Sequence, residues 1–363
     1  MERKEPADTK AELVFISPQG AVHRAPAVLG PDRPRLVRPP VVARQVRLDG
    51  DRRGLQARLP IAEAGNRAAY GLLEAEISAA LALHRAYAGT RFRGLFPVPV
   101  GHDMNAAEPF VLYAAPRGRP LSALTHGVST GDQRVIERDL VLAVRLMASV
   151  GLVHQGIVPP AVRWDGQCVQ LWDLGSVTRT GRTRTPCGVA PYASPEQRAG
   201  MGAADPRDAL WSVGQVLHQL VTGRPGHPDG PPSDLARHHT LAHTLAPVFA
   251  PRAVDRPTPD ELLGRLMPDT DAALLTAGPP DPLEPFRRDF DEVMRRKHAS
   301  LRRPPGPLPP APPPPPPPYR PGGEPPTWAE QAPRRRPLTW FYGGGAGTSG
   351  NEGNESNEGG RRR

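Results

Sequence analysis

The clearest periodicity near the start of the chain is an alternation of apolar and basic positions. Val41-Val42-Ala43-Arg44-Gln45-Val46-Arg47-Leu48 has a period of two, as expected for strands with one buried face, so residues 36–64 read as part of a small β-rich unit. The period then lengthens. Leu73, Ile77, Ala80 and Leu81 recur at helical spacing behind Asn66, a good N-cap residue, which predicts a helix to about Ala88 with Glu76 beside its apolar stripe. Phe96-Pro97-Val98 and Phe110-Val111-Leu112-Tyr113 read as two further strands. Helical patterns follow at about 132–151, 206–222 and from Thr258 to Met267.

The flanks are patterned differently. Residues 1–35 are rich in proline and charge with one short apolar patch, Leu13-Val14-Phe15-Ile16, and are expected to be flexible or loosely docked. Residues 282–302 space Phe286, Phe290, Val293 and Met294 as one amphipathic helix, expected to pack back on the domain. Pro304–Pro326 is dominated by proline, including the unbroken run Pro312–Pro318. It favours a semi-rigid polyproline II spacer, and the Gly/Asn/Glu-rich end should be disordered.

The stretch His154–Gly175, HQGIVPPAVRWDGQCVQLWDLG, resembles a protein-kinase catalytic loop running into a metal-binding loop. His154 and Pro159 hold the register of H-R-D-x-K-P-x-N, and Asp173-Leu174-Gly175 stands where kinases carry D-F-G. In that register the catalytic aspartate falls on Gly156, its lysine on Val158 and the metal-binding asparagine on Ala161. Pro191-Tyr192-Ala193-Ser194-Pro195-Glu196 is similar to the end of an activation segment. Asp208-Ala209-Leu210-Trp211-Ser212-Val213-Gly214 looks like the buried central helix, and Asp255-Arg256-Pro257-Thr258 like the segment opening the last helix. The chain is therefore identified as resembling the bacterial, actinobacterial-type Ser/Thr protein kinases, as a degenerate member, across residues 95–267.

That resemblance implies an α+β, two-lobed protein-kinase-like fold: a small β-rich N-lobe (36–116) and a mainly helical C-lobe (117–270). A flexible segment (1–35), a helical extension (271–302) and a disordered Pro/Gly-rich tail (303–363) flank it. It also implies structural roles for His154, Gly175, Glu196, Asp208 and Arg256, with Glu196 and Arg256 forming a buried ion pair. His154 is expected as a buried structural histidine. The family's G-T-x-x-Y pattern appears as Gly188-Val189-Ala190-Pro191-Tyr192, so Val189 replaces the hydroxyl that would join the catalytic cluster. Gly156, Val158 and Val189 thus read as the loss of a whole polar network, which costs less than stranding one member of it.

Lysine usage sharpens this reading. The chain has three lysines, Lys4, Lys10 and Lys297, and none falls between residues 11 and 296. Kinases hold the nucleotide phosphates with a strand lysine paired to a helix glutamate. Arg58, on the strand before the Glu76 helix, is the expected stand-in, although a planar guanidinium is not equivalent to an ammonium. Gly20, Gly30, Gly50 and Gly54 form no G-x-G-x-x-G phosphate loop. The nucleotide-binding candidates are accordingly Arg58, Glu76 and Asp173, with Asp173 a weak magnesium ligand. No cofactor is expected to be required, and any binding of ATP and magnesium should be weak.

Composition adds less. The net charge of +9 lies mostly in residues 1–94, with 16 basic against 10 acidic side chains, but no aromatic-interleaved basic stripe accompanies it, so a nucleic-acid role is not expected. Cys168 and Cys187 read as reduced thiols. No apolar run suits a bilayer and the N-terminus lacks a signal-peptide pattern, so a cytoplasmic location and no membrane partner are expected. Thr183 and Thr185, set among arginines, are candidate phosphosites. The leading expectation is a pseudokinase acting as a regulator or scaffold for a protein partner, such as an active kinase or another signalling component. The alternatives are an atypical Ser/Thr kinase of low activity and an arginine-rich anion or nucleic-acid binder.

Overall fold

The computed structural model describes residues 9–35, 40–124, 128–267, 289–290 and 292–297. The chain divides into two units, residues 1–294 and 295–363, and of the second only the helical residues 295–297 are described. The expected tail at 303–363 lies outside the described residues, as does most of the extension at 271–302.

The first half of the domain is a twisted antiparallel sheet. Its strands are β1 (Thr9–Ile16), β2 (Val22–Leu29), β3 (Arg33–Pro34), β4 (Val42–Leu48) and β5 (Arg52–Arg58), followed by β6 (Pro99–Asp103) and β7 (Phe110–Ala114). They lie in the order β2-β1-β6-β7-β5-β4-β3, and β2 also pairs with β4 through Ala27–Leu48, Val28–Arg47 and Leu29–Val46. That extra pairing closes six strands into a ring, and β3 pairs with Val42 and Ala43 on the same edge of β4 that β2 uses. Leu13, Phe15, Ala25, Ala27, Leu29, Val46, Leu48, Phe110 and Leu112 fill its interior.

Within residues 1–35, expected to be flexible or loosely docked, residues 9–29 form the β1–β2 hairpin, and residues 1–8 lie outside the described residues. Alternate residues of both strands face the interior, and the tight turn between them closes with Gly20 N–H donating to Ser17 O at 2.9 Å. Gly20 takes a positive φ of 87° there, at little cost for glycine. Lys10, Glu12, Arg24 and Pro26 occupy outward positions of these strands, a pattern that composition alone does not distinguish from disorder.

Helix α1 (Arg67–Tyr87) separates β5 from β6 in the chain. Asn66 caps it by accepting from Ala69 N–H, and Ala69, Leu73, Glu76, Ile77, Ala80, Leu83 and Tyr87 form its buried stripe. After β8 (Arg119–Pro120) the chain becomes mainly helical. Helix α2 (Thr130–Ser149) leads to the short strands β9 (Leu152–His154), β10 (Val162–Trp164), β11 (Val169–Leu171) and β12 (Val177–Arg179). Helices α3 (Pro195–Ala199), α4 (Pro206–Thr222), α5 (His239–Leu245) and α6 (Pro259–Leu266) complete the domain. Helix α4 is central and buried through most of its length. Pro206 and a reciprocal Asp205/Asp208 capping box start it, and Gly223 ends it at a φ of 71°. Its Trp211 is fully buried and donates from the indole N–H to Pro191 O at 3.0 Å. No helix among the described residues is long and apolar enough to cross a membrane.

Candidate functional site

The buried face of α1 delivers Glu76 to the turn that follows β11, where Asp173, Leu174 and Gly175 lie. Asp173 adopts a left-handed backbone at φ 64°, which Asp tolerates better than most residues. Gly175 permits the approach: a β-carbon there would come within 3.1 Å of Glu76 Oε2. Two carboxylates are thereby buried side by side, an arrangement that demands a cation.

Arg35 supplies it. It follows β3 and reaches across the sheet edge to donate from Nη1 to Glu76 Oε2 at 2.5 Å and from Nη2 to Asp173 Oδ1. Its side chain is only 13% exposed. Burial works against the guanidinium charge, but Glu76 and Asp173 outweigh it and hold the group more firmly protonated than usual. Tyr113, at the end of β7, donates to Glu76 Oε1 at 3.2 Å; burial and the nearby carboxylate push its phenol well above the ordinary range. The Trp172 ring packs edge-on against Tyr113 at 5.4 Å between centroids, and its N–H is taken by Gln170. Arginine, two carboxylates and two aromatic rings form one self-contained cluster.

This corrects the assignment of Arg58. Arg58 is buried on β5, but it turns to the opposite partners, donating from Nε to Asp32 at 3.1 Å and pairing through its other arms with Asp32 and Glu108. Glu76 is served by Arg35 instead. The signal that could have found Arg35 is the unmet charge demand of Glu76 and Asp173. Its setting, Pro34-Arg35 in a proline-rich stretch, resembles a linker.

The substituted positions come together as well. Gly156, Val158 and Val189 line one cavity of about 220 Å³, with Tyr192, Ala193 and Ser212 beside them. Val158 is buried and Val189 is 54% exposed. Ala161 is also buried, and its methyl offers no ligand oxygen toward Asp173. Asp173 Oδ2 is buried without a hydrogen-bond partner. Among the described residues no group of three His, Cys, Asp or Glu side chains could hold a metal ion. Asp173 Oδ1 is committed to the Arg35 guanidinium.

The structural residues lie below this region. His154 is 1% exposed; its Nε2 bonds Trp172 O at 2.9 Å and its Nδ1 accepts from Gly156 N–H at 3.1 Å. Both ring nitrogens hold backbone groups, as suits a structural histidine. Glu196 accepts from Arg256 Nη2 at 2.9 Å on both carboxylate oxygens and from Ala253 N–H at 2.9 Å. Burial would raise Glu196, but backbone donors and Arg256 overcome it and keep the carboxylate below its usual range. The Arg256 guanidinium lies 4.8 Å over the Trp211 ring. Asp208 accepts from both Arg184 Nε and Nη2, at 2.9 and 3.0 Å, and from Ser194. Thr183 and Thr185 flank the buried Arg184 and are themselves exposed. Thr183 bridges to Ala203.

No protein-family model matches the chain. Curated relatives do. The Streptomyces coelicolor serine/threonine-protein kinase PksC is 30% identical over 174 residues, 44% of this chain and 31% of its own length. Mycobacterium leprae PknB is 26% identical over 162 residues, 40% of this chain and 26% of that protein. The DNA damage-responsive serine/threonine-protein kinase RqkA of Deinococcus radiodurans is 28% identical over 181 residues, 46% of this chain and 26% of that protein. The chain thus spans about a third or less of the length of these relatives. Together the similarities support a protein-kinase-like domain.

Proposed function

We propose that this protein is a pseudokinase: a kinase-like regulator or scaffold that acts through its surface on a protein partner, such as an active kinase or another signalling component. The observation that carries this reading is the Arg35 bridge. In kinases, a lysine answers the helix glutamate and a metal ion answers the Asp of D-F-G. Here one internal guanidinium pairs with both Glu76 and Asp173, so each carboxylate has a cationic partner within the chain, and the cluster keeps one net negative charge.

Phosphoryl transfer depends on positioned charge around the transferring group and on a base for the acceptor hydroxyl. Gly156 carries no base, Val158 and Ala161 carry neither a cation nor a metal ligand, and Asp173 is engaged. ATP and magnesium are accordingly not required in this reading, and any binding of them is weak. Incubating the purified full chain with γ-labelled ATP and magnesium or manganese tests it directly. No label should enter the protein or a generic substrate above background. Labelling that vanishes in Asp173→Ala would overturn the proposal.

A further inference from the structure

A second cavity, of about 730 Å³, shares no residue with the Arg35 cluster. Its walls come from separate parts of the fold: the turn after α1, β7 with the connection that follows it, α2, the start of β11 and the end of α6. The volume lies within the range of small-molecule sites, which combine a mostly apolar wall with a few polar groups that fix orientation. Leu95, Val98, Leu142, Leu263 and Met267 supply the apolar wall.

The charged lining is mainly of one sign. Four arginines, Arg91, Arg93, Arg117 and Arg138, line the cavity against a single carboxylate, Asp139, among the described residues. Arg117 pairs with Asp165 and Arg138 with Asp139, which also accepts from Val169 N–H at 3.2 Å. Arg91 and Arg93 are exposed and make no ion pair among the described residues, and Arg91 lies 4.9 Å over the Phe92 ring. Two unanswered guanidinium groups beside an apolar wall suit a ligand with an anionic head and an apolar chain. A cationic ligand would meet like charge, and an uncharged one would gain nothing from Arg91 and Arg93.

We propose that this cavity binds a carboxylate-bearing amphiphile of the fatty-acid class. Its carboxylate is answered by Arg91 and Arg93, whose planar forks can engage both oxygens of such a group. Its acyl chain lies against Leu95, Val98, Leu142 and Leu263. Because the walls belong both to the β7–β8 connection and to α2 and α6, the ligand bridges the β-rich and helical parts of the domain. This inference is independent of whether the domain transfers phosphate.

Decanoate, kept below the concentration at which it forms micelles, is the probe. In calorimetric titrations of the full chain it should bind at one site, and affinity should rise by about two- to fourfold per added methylene from octanoate to dodecanoate. Decylamine and decanol should bind at least about tenfold more weakly than decanoate. Arg91→Gln/Arg93→Gln should weaken decanoate by at least about tenfold, and Ala115→Trp, which fills the cavity from an exposed lining position, should abolish its binding, both without a change in melting temperature. Cys168 also lines the cavity, so in the full chain carrying Cys187→Ser, saturating decanoate should slow Cys168 alkylation by N-ethylmaleimide at least about fivefold. No binding of decanoate, equal binding of decylamine, or decanoate binding unchanged in both variants would overturn the proposal. Sedimentation of the protein with phosphatidylglycerol vesicles, without binding of free decanoate, would assign the acyl anion to a membrane lipid and overturn it as well.

Discussion

Two buried ion clusters in this molecule face the same physical problem and solve it differently. At the base of the helical part, Glu196 meets Arg256, whose guanidinium is completely buried, flanked by backbone acceptors and laid over Trp211. At the sheet edge, Glu76 and Asp173 meet Arg35, which arrives from a different part of the chain than the lysine it replaces in the kinase resemblance. The first cluster keeps the partners that a kinase-like fold needs. The second keeps the carboxylates and changes the cation. Buried charge explains both, because an ionised group inside a protein must be paired wherever its partner comes from. Both clusters find their counter-charge within the chain, one beside Trp211 and one at the sheet edge.

The comparison can be broken most easily at its stronger end. Glu196→Ala removes two charge-assisted bonds to a buried guanidinium and should cost roughly 3–5 kcal/mol of unfolding free energy, read by chemical denaturation. A loss below about 1 kcal/mol would mean that the Glu196–Arg256 corner is not what holds this part together.

The Arg35 cluster should respond less. Arg35→Ala leaves Glu76 and Asp173 adjacent and unanswered, costing roughly 2–3 kcal/mol near neutral pH. Asp173→Ala should cost less than Arg35→Ala, because Arg35 keeps Glu76. A reversed order would show that the arginine is not the linchpin of the cluster.

Glu137 on α2 shows what a buried carboxylate does with no arginine beside its inner oxygen. It is 6% exposed and Oε1 has no hydrogen-bond partner. Burial raises it, against a smaller opposing pull from Arg134, from 4.5 to about 7. Because the folded pKa lies above the unfolded one, the folded state holds the extra proton between these values. Stability should therefore fall as the pH rises from about 4.5 through 7, by roughly 3 kcal/mol in all. Glu137→Gln should remove this dependence and be the more stable protein at pH 8. Parallel pH–stability curves for parent and variant would contradict it.

The sequence reveals these regions to different depths. Glu196 and Arg256 lie 60 positions apart, yet each sits in a local motif with few alternatives, so their meeting is readable from the chain. Helix α1 is similarly plain, because Asn66 and the Leu73–Ile77–Ala80 stripe leave one reading. The β1–β2 hairpin is hidden because its strands alternate small apolar residues with prolines and charges, and its stability comes from pairing with β4 and β6, partners distant in the chain. Arg35 is hidden for the same reason. Nothing local marks it, and only the geometry that brings Asp32 and Glu108 to Arg58 shows that Arg58 is already taken. Local motifs report on structure that local sequence builds. Counter-charges recruited across the fold do not announce themselves that way.

If Arg35 stands in for both the lysine and the metal, as proposed, the domain has no use for nucleotide. Calorimetric titration of the full chain with ATP, with and without magnesium, tests it most directly, using Arg35→Ala as the comparison. No binding tighter than about 1 mM is expected for the parent, and no effect of magnesium, since affinity there would have to displace an internal ion pair. Micromolar, magnesium-dependent binding by the parent, lost in Asp173→Ala, would contradict it.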